Sequence, residues 1–134
     1  MKAIYHLFVN GVPKAQPRPR MAANGHVYNP HTADSWKEEI KACFRPCQKP
    51  TITAPVHLRV SFFLPWPKSL KDTGGISNVP HAKKPDTDNL LKSTMDALTE
   101  LKIWHDDALV FAIDASKWYG REKVGAQIII ESRF

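Results

Sequence analysis

The segment that decides the fold is Lys83–Asp107, which reads KKPDTDNLLKSTMDALTELKIWHDD. Apolar side chains recur in it at helical spacing, and this spacing predicts a helix over 88–101. Pro85 delays the start of the helix, so we expect Asp86 to be extended and Asp88 to lie at or near the N-cap. The predicted helix therefore begins with two carboxylates. Its buried stripe is expected to carry Leu91, Met95 and Leu98.

Strand patterns lie on both sides of this helix. Val56–Leu64 alternates strictly between apolar and polar residues, which predicts a strand. A long loop, Pro65–Pro85, separates that strand from the helix, and loops of this length in compact domains are usually functional or disordered. After the helix, Ala108–Trp118 and Val124–Glu131 predict two more strands, with a turn at Gly120 between them.

The first third of the chain is interrupted by proline. Ala3–Val9 predicts a first strand, and Pro13–Arg20 (PKAQPRPR) predicts an extended basic segment, since proline cannot donate to a sheet. Asn24-Gly25 indicates a hairpin with Arg20-Met21 and His26–Tyr28 as its arms. A helix should then run from Thr32 or Ala33 to Pro46. The order of elements predicts an α+β fold with a mixed sheet and two main helices.

Length and composition limit the class of protein. The chain has 134 residues, of which 43% are hydrophobic, so we expect a single domain over 1–134 with a real core. Two cysteines cannot support a disulfide scaffold. No apolar run has the ~18–20 residues that a membrane span needs, and the start lacks a signal-peptide cleavage pattern. These features predict a soluble cytoplasmic protein without a membrane partner.

Charge is divided unevenly along the chain, which carries +6 in total. Between Asp86 and Asp107, six acids against two lysines give −4, so the remaining 17 bases and 7 acids give +10. The basic part indicates a polyanionic partner such as nucleic acid. The acidic island indicates either a metal site or an ordinary solvated face.

The acidic residues have a spacing that suits metal chemistry. Asp86 and Asp88 should share a side of the chain, and Lys92 and Asp96 follow Asp88 at intervals of four along one helical stripe. Asp106-Asp107 then precedes the next strand. Mg²⁺ prefers hard oxygen ligands completed by substrate phosphate. Two carboxylates at a helix start and one from an adjacent strand could therefore hold one or two ions for phosphodiester hydrolysis.

Each of these residues also has an ordinary structural explanation. Asp88 could be an N-cap, Asp86 could favour the helix dipole, and Lys92 with Asp96 could form an exposed ion pair. Their combination on a basic chain is what favours a cation site. A calcium loop from Asp86 fails because Leu91 and Ala97 stand where Gly and Glu are required. The sequence has no phosphate-binding loop motif, so we expect no nucleotide cofactor.

The motif K-P-D86-T-D88-N89-L-x-K92-x-x-x-D96-A97-L98, followed by D106-D107-x-x-V110, resembles the RusA family of Holliday junction resolvases. The opening P13-K14-x-x-P17-R18-P19-R20 and V27-Y28-x-P30 are similar to the start of that family. The resemblance implies an endodeoxyribonuclease that is often borne by phages or prophages. It also implies a homodimer that cuts a four-way DNA junction symmetrically, with Mg²⁺ as the cofactor and Mn²⁺ as a substitute.

The resemblance also implies roles for individual residues. Asp86, Asp88 and Asp107 would be the catalytic carboxylates that bind the metal, with Asp106 beside them. Lys92 would act near the scissile phosphate. Asn89 and Asp96 would be supporting positions. Departures from the family pattern at Glu100 and Leu109 and in the long loop leave these residues untouched and bear on junction selectivity.

The basic residues fit a phosphate-binding surface. For each of them a solvated surface charge is the alternative, and Pro-Arg-Pro-Arg could instead be a polyproline ligand. Trp66 could stack on an unpaired base or fix the long loop to the body of the protein. A nuclease for a broader range of branched DNA and a non-catalytic basic nucleic-acid-binding module stay open as alternative functions. The residues expected to bind DNA are Lys14, Arg18, Arg20, Lys83, Lys84 and Lys117.

Overall fold

The fold is α+β, as the sequence predicts, and the described residues form a four-stranded mixed sheet, two helices and a separate two-stranded ribbon. The computed structural model describes residues 2–28, 30–68 and 79–133. In chain order the elements are β1 Lys2–Asn10, β2 Arg20–Met21, β3 Val27–Tyr28, α1 Asp34–Phe44, β4 Val56–Pro65, α2 Thr87–Glu100, β5 Val110–Gly120 and β6 Gly125–Ser132, with short 3-10 turns at Arg45–Cys47 and Asp107–Leu109.

The strand order of the sheet is β1-β6-β4-β5. β6 pairs antiparallel with both β1 and β4, whereas β4 and β5 are parallel. Parallel neighbours need a crossover connection, and α2 lies within the one between β4 and β5. This connection contains the predicted Pro65–Pro85 loop, of which 69–78 lie outside the described residues. The start of α2 therefore comes at the carboxyl ends of two parallel strands, where open α/β sheets commonly bind ligands.

The core lies between one face of the sheet and the two helices. The alternation that predicted β4 is confirmed, because every second residue from Val56 to Leu64 is buried. On α1, Trp36, Ile40 and Phe44 are buried against this face. The Trp36 indole N–H donates to the Thr94 hydroxyl of α2 over 3.1 Å. This buried bond fixes the two helices to each other, since an unpaired indole N–H in the core would be costly.

The buried stripe of α2 differs from the predicted one. Leu98 is buried as expected, whereas Leu91 and Met95 are only half-buried. The stripe is shifted by one residue because two hydroxyls can be buried at little cost: that of Thr94 donates to the Leu90 carbonyl, and that of Ser93 lies within hydrogen-bond distance of the Leu90 and Lys14 carbonyls. The buried residues of α2 are Leu90, Ser93, Thr94, Ala97 and Leu98.

Two strand boundaries also differ from prediction. Ala108 belongs to a 3-10 turn, because the Asp106 carboxylate accepts its N–H over 2.8 Å, and β5 begins only at Val110. Gly120 ends β5 rather than lying in the turn. The first strand, the hairpin and both helices are confirmed to within about two residues, the usual uncertainty of element ends. In the described ranges, no helix is long and apolar enough to cross a membrane.

Candidate active site

The start of α2 presents two exposed carboxylates. Asp86 is the N-cap residue, with extended backbone (φ −72°, ψ 144°), and Asp88 lies in the first helical turn rather than at the cap. The Asp88 carboxylate accepts the N–H of Asn89 over 3.0 Å. The unpaired N–H groups and the dipole of a helix start favour negative charge there. Both carboxylates therefore sit where their charge is stabilised while they remain open to solvent.

Lys117 of β5 fixes the segment that leads into α2. Its ammonium donates to the carbonyl oxygens of Lys83 and Pro85, the latter over 2.7 Å. The Lys117 carbonyl also accepts the N–H of His81 over 3.1 Å. Asp86 follows Pro85 directly, so these bonds help to determine where its carboxylate lies. Sequence reasoning assigned Lys117 to DNA binding and missed this internal role.

The basic segment 13–20 lies along the first turns of α2. The N–H of Gln16 donates to the carbonyl of Asn89 over 3.0 Å, and the Ser93 hydroxyl donates to the carbonyl of Lys14 over 2.6 Å. Arg18 is exposed beyond these two attachments. The bonds bring positive side chains to the helix that begins with Asp86 and Asp88. No local pattern identified Ser93, since its partner is 79 residues away in the chain.

Lys92 is exposed on α2, four residues after Asp88. Among the described residues, the Lys92 ammonium forms no ion pair within 4 Å with the Asp96 carboxylate. The described part of the structure therefore does not contain the exposed Lys92–Asp96 ion pair that was the alternative to a catalytic role. Burial raises the pKa of the Asp96 carboxyl, and the charges of Lys37 and Lys92 oppose that shift. The Lys92 ammonium is thus left on the solvent side of the helix that carries Asp88.

The Asp106-Asp107 pair lies toward the other end of α2. The Ala108 N–H, and after it a hydrogen bond with the Asp107 carboxyl, lower the pKa of Asp106. The charge of Asp107 contributes to the raised pKa of Asp96, which places Asp107 in electrostatic reach of that residue. Asp96 lies eight residues beyond Asp88, about 12 Å along the helix axis. Hence α2 runs antiparallel to β5, with one group of carboxylates at each end.

One chain does not gather the predicted ligands into one cluster. In the part of the chain that the structure describes, no three His, Cys, Asp or Glu side chains are grouped so that they could hold a metal ion. Asp86 and Asp88 lie together, and so do Asp106 and Asp107. The carboxylate donors match the preference of Mg²⁺ for hard oxygen ligands, although each pair alone is an incomplete set.

Trp66 packs against Tyr119 near the carboxyl end of β5 and against Arg121 just after it. The Arg121 guanidinium lies 5.1 Å from the centre of its ring, and the ring of Tyr119 lies 5.8 Å away. His81 packs against Tyr119, with the centres of the two rings 4.6 Å apart. Burial, and after it the charge of Lys117, lower the pKa of His81. These contacts favour the interpretation that Trp66 fixes the loop to the sheet.

A basic segment fastened to a helix that starts with two exposed carboxylates combines groups that suit nucleic-acid phosphates with groups that suit a hard cation. The family model described as Endodeoxyribonuclease RusA matches residues 10–131. The chain therefore belongs to the RusA endodeoxyribonuclease family, the family of Holliday junction resolvases, and the resemblance drawn from its motif is confirmed. It is also similar to a Bacillus subtilis (strain 168) protein named "Uncharacterized protein YqaN", with 34% identity over 124 residues, covering 85% of this chain and 87% of that protein.

Proposed function

We propose that residues 1–134 form a single Mg²⁺-dependent endonuclease domain that resolves four-way DNA junctions by paired symmetric incisions in the cytoplasm. One observation carries the proposal: the basic segment 13–20 is hydrogen-bonded along the same helix that begins with Asp86 and Asp88. This attachment combines groups that bind phosphate with groups that suit a hard cation. Family membership supports the reaction class.

The residues of this chain would divide the work between binding and cleavage. The N–H groups at the start of α2 and the side chains of Lys83 and Lys84 would bind the DNA backbone. Lys92, one turn beyond Asp88, would neutralise charge that develops on the scissile phosphate. Asp86, Asp88 and Asp107, with Asp106 beside them, would hold the metal. When bound, Mg²⁺, or Mn²⁺ in its place, would stabilise negative charge on the phosphate oxygens.

A homodimer would complete the site if it forms through β5, which is an edge strand of the sheet. Phe111 and Ile113 on this strand are 62% and 42% exposed. Toward the carboxyl end of β5, Lys117 and Tyr119 use their outward backbone groups to bond the segment 79–81. The N–H and C=O groups of a strand alternate in direction, so those of Ile113 also point outward. Within the described residues, nothing pairs with the strand there.

Antiparallel pairing of two such edges would bring the separated carboxylates together. Asp107 and Tyr119 lie six positions on either side of Ile113. With the two-fold axis at Ile113, the Asp106-Asp107 turn of one protomer would approach the segment 79–81 that is bonded to Lys117 and Tyr119 of the other. That position is next to Lys117, whose ammonium donates to the carbonyl of Pro85, the residue before Asp86. A two-fold enzyme also suits symmetric incision of a two-fold junction.

The test is one gel assay with a labelled four-way junction, with Mg²⁺ and with EDTA, beside linear and forked controls. The proposal expects junction cleavage in Mg²⁺ alone, at symmetric positions that a ligase can seal, and an intact linear duplex. A dimeric mass in solution or on DNA is expected from sedimentation. A strictly monomeric complex that cuts both strands would contradict the shared site.

A non-catalytic basic nucleic-acid-binding module is the second candidate, because the described part of one chain does not group three metal ligands. It predicts junction binding without cleavage, regardless of chelator. Equal cleavage of forked and four-way DNA would instead indicate a nuclease for a broader range of branched substrates. The same gel separates all three outcomes.

A further inference from the structure

The hairpin ribbon of β2 and β3 has two chemically different faces. Arg20 pairs with Tyr28 and Met21 with Val27, and directly paired residues in an antiparallel ribbon project to the same side. Met21 and Val27 therefore form an apolar face, and Arg20 and Tyr28 form a face with a cation and a phenol ring. The turn is held by the N–H of Gly25, which donates to the Ala22 carbonyl over 2.9 Å.

The apolar face is open to solvent. Met21 is 72% exposed and Val27 is 58% exposed, while Tyr28 on the other face is 45% exposed. The ribbon does not belong to the main sheet. An isolated two-stranded ribbon is only marginally stable in water, and one exposed cross-strand pair such as Met21 and Val27 adds little to its stability. These side chains are therefore placed to meet a partner.

The charge around the ribbon selects the partner. Residues 1–33 contain no Asp or Glu, and Arg18 and Arg20 enter the ribbon directly. A second copy of the ribbon would set these arginines against their own counterparts, which disfavours self-association. DNA offers both of the required features, phosphates for the arginines and flat apolar base faces for the side chains of Met21 and Val27.

The ribbon is also tethered close to the candidate active site. Gln16 is bonded to Asn89 in the first turn of α2, and Arg20 follows four residues later. Four residues of extended chain span at most about 14 Å. The ribbon therefore reaches DNA that lies at the Asp86–Asp88 end of α2.

We propose that the ribbon 20–28 is a wedge that inserts Met21 and Val27 at an unstacked base step of branched DNA. Arg18 and Arg20 hold the neighbouring phosphates. Apolar side chains that enter a base step, such as Met, are an established way to distort DNA, and β-ribbons are known to enter its grooves. This inference rests on the proposed function and names the feature of the substrate that the ribbon contacts: the open bases at the branch point.

The test uses a four-way junction with 2-aminopurine at the branch point, in EDTA so that no strand is cut. Wild-type protein is expected to raise the 2-aminopurine fluorescence, which reports unstacking. The double variant Met21→Ala/Val27→Ala should lose most of this rise and bind the junction about tenfold more weakly, as expected when apolar side chains no longer cover a base face. Its affinity for a linear duplex should change less than twofold. Val12→Ala is the matched control, since it shortens an exposed apolar side chain outside the ribbon.

Three results would overturn the proposal. The double variant could match wild type in fluorescence and junction affinity, it could lose affinity equally for junction and duplex, or it could change the oligomeric mass, which would make the ribbon an assembly surface. An unchanged melting temperature of the variant shows that folding is intact, as expected for exposed side chains. If the wild-type protein binds and cuts the junction but one of these three results is obtained, the wedge proposal fails and the proposed function stands. If wild type neither binds nor cuts, the proposed function fails with it.

Discussion

The ammonium of Lys117 donates a hydrogen bond to the carbonyl oxygen of Pro85 over 2.7 Å. This bond joins the edge strand β5 to the residue directly before Asp86. The same ammonium also bonds the Lys83 carbonyl. A basic residue near the end of a strand thus serves to position the start of α2, and its effect on cleavage should be separable from phosphate binding.

Lys117→Met keeps much of the side-chain length but removes both hydrogen bonds. We expect the cleavage rate of a bound junction to fall by about tenfold or more, because small misplacements at an active site are costly. Junction affinity should change little. Lys84→Met is the matched control, since it removes an exposed charge beside the same segment. It should weaken binding and reduce its salt dependence while the rate at saturation stays near wild type. The opposite pattern would make Lys117 a DNA contact.

Asp88→Asn removes a predicted metal ligand but keeps the size of the side chain and an oxygen that can accept the Asn89 N–H. We expect normal junction binding and a loss of Mg²⁺-dependent cleavage of at least about 100-fold, in line with the loss of an essential catalytic group. Single-turnover cleavage and fluorescence anisotropy measure the two effects separately. Asp34→Asn, in the first turn of α1, is the control for an acid at a helix start. Full cleavage by the Asp88 variant would contradict its place in the site.

Lys92→Ala tests the exposed ammonium on α2. Because a lysine near the scissile phosphate stabilises charge in the transition state, the rate of the bound complex should fall by about 10²–10³ with only a small loss of affinity. The measurement is the single-turnover rate at saturating protein. Lys102→Ala, an exposed lysine just after the same helix, is the control and should keep the wild-type rate. A large loss of affinity with an unchanged rate would assign Lys92 to docking.

The sequence was informative wherever a local pattern decides the structure. Strict alternation identified β4, and Asn24-Gly25 identified the ribbon with its arms at the correct residues. Pro85 correctly predicted extended backbone at Asp86. Burial of Ser93 was not predictable in this way, because it depends on a carbonyl contributed by the distant segment 13–20.

The sequence predicts candidate residues for the site but not their geometry. Asp88 and Asp107 are separated by 19 positions, and nothing in that spacing states how α2 is oriented against β5. Parallel pairing of β4 with β5 requires the crossover helix α2 to run antiparallel to both strands. The carboxylates at the start of α2 and those just after its end therefore lie toward opposite ends of these strands. The spacing is that of the family, whereas the distance between the carboxylates depends on the fold and on the second protomer of the proposed dimer.

Glu100 links α2 to α1 and should make stability depend on pH. Its carboxylate bonds Lys37 over 2.8 Å and Lys41 over 2.6 Å. Burial pushes the pKa of Glu100 up, but the hydrogen bonds and charges of these two lysines outweigh it and leave the pKa below its ordinary value. A carboxyl with a lowered folded-state pKa stabilises the protein above its unfolded pKa of about 4.3. The contribution disappears as the pH falls through the lower folded value.

Glu100→Gln is therefore expected to lower the free energy of unfolding by about 1 kcal/mol at pH 7, a modest value because the carboxylate is partly exposed to solvent. At a pH below the folded pKa the variant and wild type should be equally stable, since wild-type Glu100 is then protonated. Urea unfolding at several pH values measures the difference in free energy of unfolding at pH 7 and at low pH. Glu38→Gln removes a more exposed carboxylate with one contact to Lys41 at 3.7 Å, and it should cost less than about 0.5 kcal/mol at any pH. An equal loss in both variants, or a difference between Glu100→Gln and wild type that grows as the pH falls, would show that this bridge does not hold the two helices together.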